Sequence, residues 1–181
     1  MGLFESSLCR MGLNCQVLGS GVSRWRNSLD KPRSIAAALS KISTPYVLYA
    51  DSRDAILVRP PAEVLERFTR DFSCDLLFGG DRMSYPPDPI LTSYENSLPK
   101  ARASEFRYLN AGAWIGKTAY ACEFFQSLLA LPLSTMAPDS EQAIIRRQIQ
   151  SYPGSIEIDY FCRMFLNIGF LFENYSIEIS E

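Results

Sequence analysis

The sequence contains no histidine among its 181 residues. That absence removes Ser-His-Asp and Cys-His catalysis, histidine metal ligation and imidazole acid–base chemistry together. No Cys-x-x-Cys pair is present either. The five cysteines, Cys9, Cys15, Cys74, Cys122 and Cys162, are odd in number and scattered. Such spacing favours neither a zinc site nor a disulfide framework, and it predicts reduced, mostly buried thiols. No apolar run approaches the length that spans a bilayer, and no basic-then-apolar leader opens the chain. Met1-Gly2 with Ser6 has the outline of a myristoylation site, but the residues around it read as helix, which argues against one. Together these features predict a cytoplasmic protein with no membrane insertion. A basic excess is missing too: the net charge is −2, which argues against a nucleic-acid partner.

What is present is the composition of an ordinary globular chain, 47% apolar and 21% charged, and its length suits a single domain over residues 1–181. Any chemistry must come from carboxylates, amides, hydroxyls, Lys or Arg, or a bound metal.

Helical and strand-like segments alternate, which predicts an α/β architecture. Residues 3–12 read as a short amphipathic helix, and Cys15 to Leu18 as a short strand. A Gly/Ser loop carrying Trp25 and Arg26 follows. Asp30-Lys-Pro32 opens a helix whose Ile35, Leu39 and Ile42 share one face, and Pro45 stops it. Tyr46 to Ala50 is apolar without alternation, as in a strand covered on both faces of a parallel sheet. A helix starts at Pro60, a second buried strand runs from Asp75 to Asp81, and residues 82–107 read as an irregular loop or lid. Tyr108 to Gly116 is strand-like with glycine breaks. Thr118 and Asp139 each read as caps of a following helix, to about Leu131 and Gln150 respectively. Ser155 to Asp159 reads as a short strand, and Phe170 to Ile179 as an edge strand or hairpin.

Four constellations bear on chemistry. Asp51 and Asp54 follow the apolar strand, and side chains three apart converge only if the chain turns after Asp51. A turn there would set two carboxylates at a strand's C-terminal end, where open α/β sheets bind ligands. Close carboxylates repel unless a cation lies between them, and oxygen ligands suit Mg²⁺ or Mn²⁺ bridging to phosphates. The alternative is that Asp51 caps a turn and Asp54 is merely solvated. Asn110-Ala-Gly112-Ala-Trp114 allows close backbone approach and an amide contact to a sugar hydroxyl, or it is simply a tight bend in a strand. Asp139 to Gln142 matches a capping box, which accounts for it structurally, while acids at a helix start could also reach a sugar hydroxyl. Trp25 and Arg26 could stack on a base and pair with phosphate, or pack on the body of the protein.

Taken in order, these pieces resemble the glycosyltransferase domain of procollagen lysyl hydroxylases and related collagen galactosyl/glucosyltransferase-like proteins. The likeness runs over nearly the whole chain. Trp25 matches the family's loop tryptophan and Lys31 its basic residue opening the next helix. Asp51-Ser-Arg-Asp54 is similar to its Asp-x-x-Asp metal motif. Gly80-Asp81 through Tyr85-Pro86 looks like its Tyr-Pro loop. Leu109 to Gly116 is very like its Leu-Asn-x-Gly-x-x-Ile-Gly segment. Asp139-Ser-Glu-Gln142 is similar to its acid-acid-Gln helix start, and Asp159 to Asn167 to its late Asp-x-x-Cys segment.

The resemblance implies a GT-A-like nucleotide-binding sandwich with a mostly parallel mixed sheet flanked by helices. It implies hexose transfer, glucose or galactose, from a UDP-sugar to an acceptor that is a protein or a glycan. Mn²⁺, or Mg²⁺ in its place, would be held by Asp51 and Asp54. Trp25, Lys31, Asp51, Ser52, Arg53 and Gly112 would hold the donor nucleotide, and Asp139, Glu141 and Asn110 the donor sugar or acceptor. Three departures stand out. The family's first strand is expected upstream of residue 1, its third metal ligand is a histidine, and its aromatic residue after the motif's serine is here Arg53. They keep a second function in view, a non-catalytic sugar-nucleotide-binding or interaction module of the same fold. A more distant one is phosphoryl transfer through Asp51.

Overall fold

In the computed structural model of the chain, residues 2–135 and 138–169 are described. The expected strand over Phe170 to Ile179 lies outside them. Within them the order is α1 (Leu3–Arg10), α2 (Asp30–Leu39), β1 (Tyr46–Ala50), α3 (Pro61–Asp71), β2 (Leu76–Asp81), α4 (Pro89–Ser97), α5 (Pro99–Arg102), β3 (Tyr108–Lys117), α6 (Thr118–Leu128), α7 (Glu141–Gln148) and β4 (Ile156–Asp159). The helix starting near Pro60 and the strands from Tyr46, Asp75, Tyr108 and Ser155 are where the sequence pattern predicts them, within a residue or two.

Among the described residues the strands form one mixed sheet in the order β1-β3-β2-β4. β3 runs antiparallel to both neighbours, and only β2 and β4 are parallel. The expected mostly parallel sheet is therefore corrected to a mostly antiparallel one. Both faces of the sheet are nonetheless covered. Val47 and Tyr49 pack on the larger core cluster with α2, α6 and α7, while Tyr46 and Leu48 pack on a smaller one with Phe68 of α3. Two-sided cover removes polar alternation from β1 whatever direction its neighbour runs, so the apolar run was informative about burial and silent about strand direction.

β3 carries an irregularity that shapes the site. Phe78 pairs with Trp114, but the next residue of β2, Gly79, pairs with Asn110, so Ala111, Gly112 and Ala113 bulge out of the β2 register. On the other side Ala113 still pairs with Ala50, and Gly112 O accepts the Asp51 N–H at 2.7 Å. A bulge re-aims the chain locally, and this one brings Gly112 against the end of β1.

Several local expectations are revised. Cys15 to Leu18 is irregular rather than a strand. Residues 82–107 hold two helices, α4 and α5. Asp88 caps α4 by accepting the Ile90 and Leu91 N–H groups, with Pro89 in the first turn. Thr118 is the first residue of α6 rather than its cap. Cys74 is buried, but Cys9 and Cys15 are exposed. No described helix is long and apolar enough to cross a membrane.

The segment between β2 and β3 is fastened by a buried ion pair. Arg146 of α7 and Glu95 of α4 are 0% and 1% exposed at their side chains, with Nη2 2.6 Å from Oε2. Arg146 also donates to Pro86 O at 2.7 Å and to Ser84 Oγ at 2.7 Å. A buried charge with each of its nitrogens hydrogen-bonded tolerates burial; a lone one does not. Arg146→Met should therefore cost about 3–5 kcal/mol by leaving Glu95 unpaired, whereas adding Glu95→Leu should recover part of that loss. Chemical denaturation of the single and double variants measures both.

Candidate functional site

The cavity at this site, about 1000 Å³, opens between α1, α2, the end of β1 and the start of α7. The wall at the β1 end is polar and built around Lys31. This residue lies in the first turn of α2 and is 8% exposed. Its Nζ donates to Asp51, 2.8 Å from Oδ1 and 3.1 Å from Oδ2, and to Oε1 of Glu141. Burial works against the ammonium, but the Glu141 and Asp51 carboxylates outweigh it and hold the lysine pKa above its ordinary value. Lys31 is thus charged at neutral pH and ties α2, β1 and α7 together.

Asp51 is further fixed by its own strand. Tyr49, two residues back and so on the same side of β1, donates its hydroxyl to Asp51 Oδ1 at 2.9 Å. The Tyr49 ring stacks on Trp114, centroids 5.3 Å apart and planes 11° apart. Burial, then the Asp51 charge, pushes the phenol pKa well above its usual range, so it remains a donor. The chain turns at Ser52–Asp54 as expected, and Asp51, Ser52, Arg53 and Asp54 all line the cavity. The turn is pinned from outside by α1, where the Phe4 N–H donates to Ser52 O at 3.1 Å.

Opposite the turn stands the β3 bulge. Asn110 Oδ1 accepts the Gly112 N–H at 2.8 Å, and Asn110 Nδ2 donates to Asp81 Oδ2 at 3.1 Å. A Cβ on Gly112 would lie 2.9 Å from Asn110 Oδ1 and 3.3 Å from Asp51 Oδ2. Any side chain here would displace the Asn110 amide and crowd the Asp51 carboxylate, which favours glycine. Gln142 of α7 completes this wall: its Oε1 accepts the Ala111 N–H at 2.9 Å, and its Nε2 donates to Tyr85 O at 2.6 Å.

The structure thus brings Lys31, Asp51, Ser52, Arg53, Asp54 and Glu141 to one cavity with Trp25, and sets Gly112 directly behind Asp51. Asn110 acts on the bulge and on Asp81 through its amide. Asp139 is placed differently. It is exposed, does not line the cavity, and does not cap α7, whose N-cap is Ser140. Its carboxylate accepts Ser28 Oγ at 2.5 Å, the Ser28 N–H at 2.9 Å and the Asn27 N–H at 3.2 Å. Sequence reasoning did not single out Tyr49 or Gln142 as site residues. The signal for Tyr49 was slight, a tyrosine two before an acid in a strand, while Gln142 was noted only as part of the Asp139 to Gln142 helix start.

Oxygen-only donors such as Asp51 and Asp54 suit Mg²⁺ or Mn²⁺ when phosphate oxygens and water complete the shell. Among the described residues no group of three or more His, Cys, Asp or Glu side chains is placed to hold a metal. Asp51 and Asp54 alone would supply only part of the ligand set of such an ion.

Comparison with known proteins adds two findings. The family model described as PLOD GT domain matches residues 2–130. This range takes in Trp25, Lys31, Asp51 to Asp54, Asn110 and Gly112; Asp139 and Glu141 fall beyond it. Procollagen-lysine,2-oxoglutarate 5-dioxygenase of Drosophila melanogaster is 30% identical over 93 residues, which is 51% of this chain and 12% of that protein. The chain thus matches only a small part of this curated relative.

Asp139 yields a pH prediction. The Ser28 hydroxyl, then the Ser28 backbone N–H, hold its carboxyl below the ordinary value of 3.8. A lowered carboxylate pKa stabilises the fold above the unfolded value, and that contribution disappears as pH falls through the folded value. The stability difference between wild type and Asp139→Asn should be present at about pH 6 and shrink by about pH 3, as read by denaturant midpoints.

Proposed function

This chain belongs to the PLOD GT domain family, and on that premise we propose that it is a metal-dependent hexosyltransferase that uses a UDP-sugar. The observation that carries the reading is the placement of Asp51 and Asp54 on the turn after β1. They line a cavity that also contains a buried cation, Lys31, a buried carboxylate, Glu141, and an exposed tryptophan, Trp25. Its volume of about 1000 Å³ is at the upper end of the range for small-molecule pockets and suits a nucleotide sugar.

In this reading Asp51 and Asp54 hold Mn²⁺ or Mg²⁺, which when bound neutralises the diphosphate leaving group. The chain's own residues do the rest. Lys31 holds Asp51 in place beside Glu141, and it supplies a positive charge next to the diphosphate. Gly112 lets the bulged backbone come up close behind Asp51. Trp25 gives the base a flat apolar face, and Arg53 offers a cation at the cavity rim. Glu141 lines the cavity on the side where the hexose would lie, while the Asn110 amide holds the bulge and reaches Asp81. The acceptor, a protein or a glycan, enters as a second substrate.

The second reading, a sugar-nucleotide-binding module of this fold without catalysis, is favoured by one observation: the chain contains no histidine to serve as a third metal ligand.

Calorimetric titration of UDP with and without Mn²⁺ tests the proposal. The expected result is UDP binding strengthened at least about tenfold by Mn²⁺, which is about 1.4 kcal/mol. The gain should vanish in Asp51→Ala and Asp54→Ala. Asp54 is exposed, so its replacement leaves the Lys31 contacts intact and separates metal loss from unfolding. UDP binding that ignores Mn²⁺ contradicts the enzyme reading and leaves the binding module.

A further inference from the structure

Asp139 is not used by the site described above, yet its carboxylate is fully engaged. Among the described residues its hydrogen-bond partners lie on one short segment more than a hundred residues earlier, at Asn27 and Ser28. That segment follows Trp25 directly. Asn27 passes the constraint on, since its Oδ1 accepts the Trp25 indole N–H at 2.7 Å. The indole is also seated from below by Gly19, where a Cβ would come within 2.4 Å of the ring; Gly19 has φ +78°, so two constraints favour glycine there. Arg26 adds a second tie to the same region, donating from Nη1 to Ser134 O at 2.7 Å. The outcome is an aromatic ring that lines the cavity while remaining 39% exposed.

An exposed indole on a Gly/Ser loop would ordinarily sample several rotamers, and ordering it on binding costs affinity. Here the loop is held before any ligand arrives. We propose that Asp139 is a positioning residue: it latches the Trp25–Ser28 segment to the start of α7 and so presents the indole as a preset platform for a planar base. The latch itself stands on the contacts above; its consequence for affinity rests on the UDP-sugar reading. The role is one of selectivity. Asp139 strengthens binding of ligands that carry a base and leaves binding of the bare diphosphate unchanged. This differs from a sugar-contacting role, in which Asp139 would touch the ligand directly.

The two tryptophans of the chain give a direct readout, since Trp114 is 1% exposed and Trp25 is open. Acrylamide quenching of the ligand-free protein therefore reports Trp25. Asp139→Ala should raise quenching and weaken Mn²⁺–UDP binding about tenfold, the scale of losing a charge-assisted hydrogen-bonded anchor. Mn²⁺–pyrophosphate binding should stay within about twofold, below the energy of one weak hydrogen bond. Asp139→Asn keeps an oxygen acceptor for the Ser28 N–H and should recover part of both effects. Asp139→Ala added to Trp25→Ala should cost nothing further for UDP, because residues acting through one contact are not additive.

Unchanged quenching in Asp139→Ala overturns the latch. So does an equal loss for UDP and pyrophosphate, which makes Asp139 a direct ligand contact. Raised quenching in a protein that binds no UDP supports the latch and overturns the glycosyltransferase reading instead. Circular dichroism of both variants separates these outcomes from loss of fold.

Discussion

The buried ammonium of Lys31 is the constraint around which the site is arranged. A lysine that is 8% exposed is tolerated only when carboxylates surround it, and Asp51 and Glu141 do so from two different elements. Because the three groups belong to α2, the end of β1 and the first turn of α7, one charge fixes the relative position of three elements. It also sets the electrostatics of the cavity. Two carboxylates share one ammonium, so the polar wall carries a net negative charge that suits a divalent cation. The Tyr49 hydroxyl and the Gly112 carbonyl then fix the remaining freedom of Asp51, through its side chain and its backbone respectively.

The sheet serves this arrangement through its irregularity. If the Phe78–Trp114 register of β2 and β3 continued without interruption, Gly112 would pair with Gly80 and would not be aimed at Asp51. The bulge moves it, and Asn110 and Gln142 satisfy the N–H groups that the bulge frees. Gln142 then reaches Tyr85 O, and four residues along α7 Arg146 grips Ser84, Pro86 and Glu95. The same helix thus orders the cavity wall and the long excursion between β2 and β3. One buried ion pair lies at each end of it, Lys31–Glu141 at the start and Glu95–Arg146 near the end.

Much of this was legible from residue types and spacing. The non-alternating run at Tyr46 marked a strand covered on both faces, and Asp51 and Asp54 flanked a turn as their spacing required. What the pattern did not carry was strand direction, because two-sided burial looks the same in parallel and antiparallel pairing. It also did not carry the helix at Pro89, although Asp88-Pro89 is a start signature that the surrounding prolines and serines concealed. Asp139 shows a different kind of gap. Its neighbours in sequence matched a capping box, but its partners, Asn27 and Ser28, lie 112 and 111 residues away. A contact of that separation leaves no mark in local spacing. The Lys31–Asp51–Glu141 cluster was likewise visible only as three separate candidates until the fold joined them.

The central claim is that the cavity beside Lys31 is a nucleotide–metal site with Asp51 and Asp54 at its centre. Anomalous diffraction from crystals grown with UDP and Mn²⁺ tests it directly. The account predicts an anomalous peak bridging the Asp51–Asp54 turn and the diphosphate, with the base against Trp25. A nucleotide bound elsewhere, or a cavity that stays without metal and nucleotide at saturating concentrations of both, would contradict it.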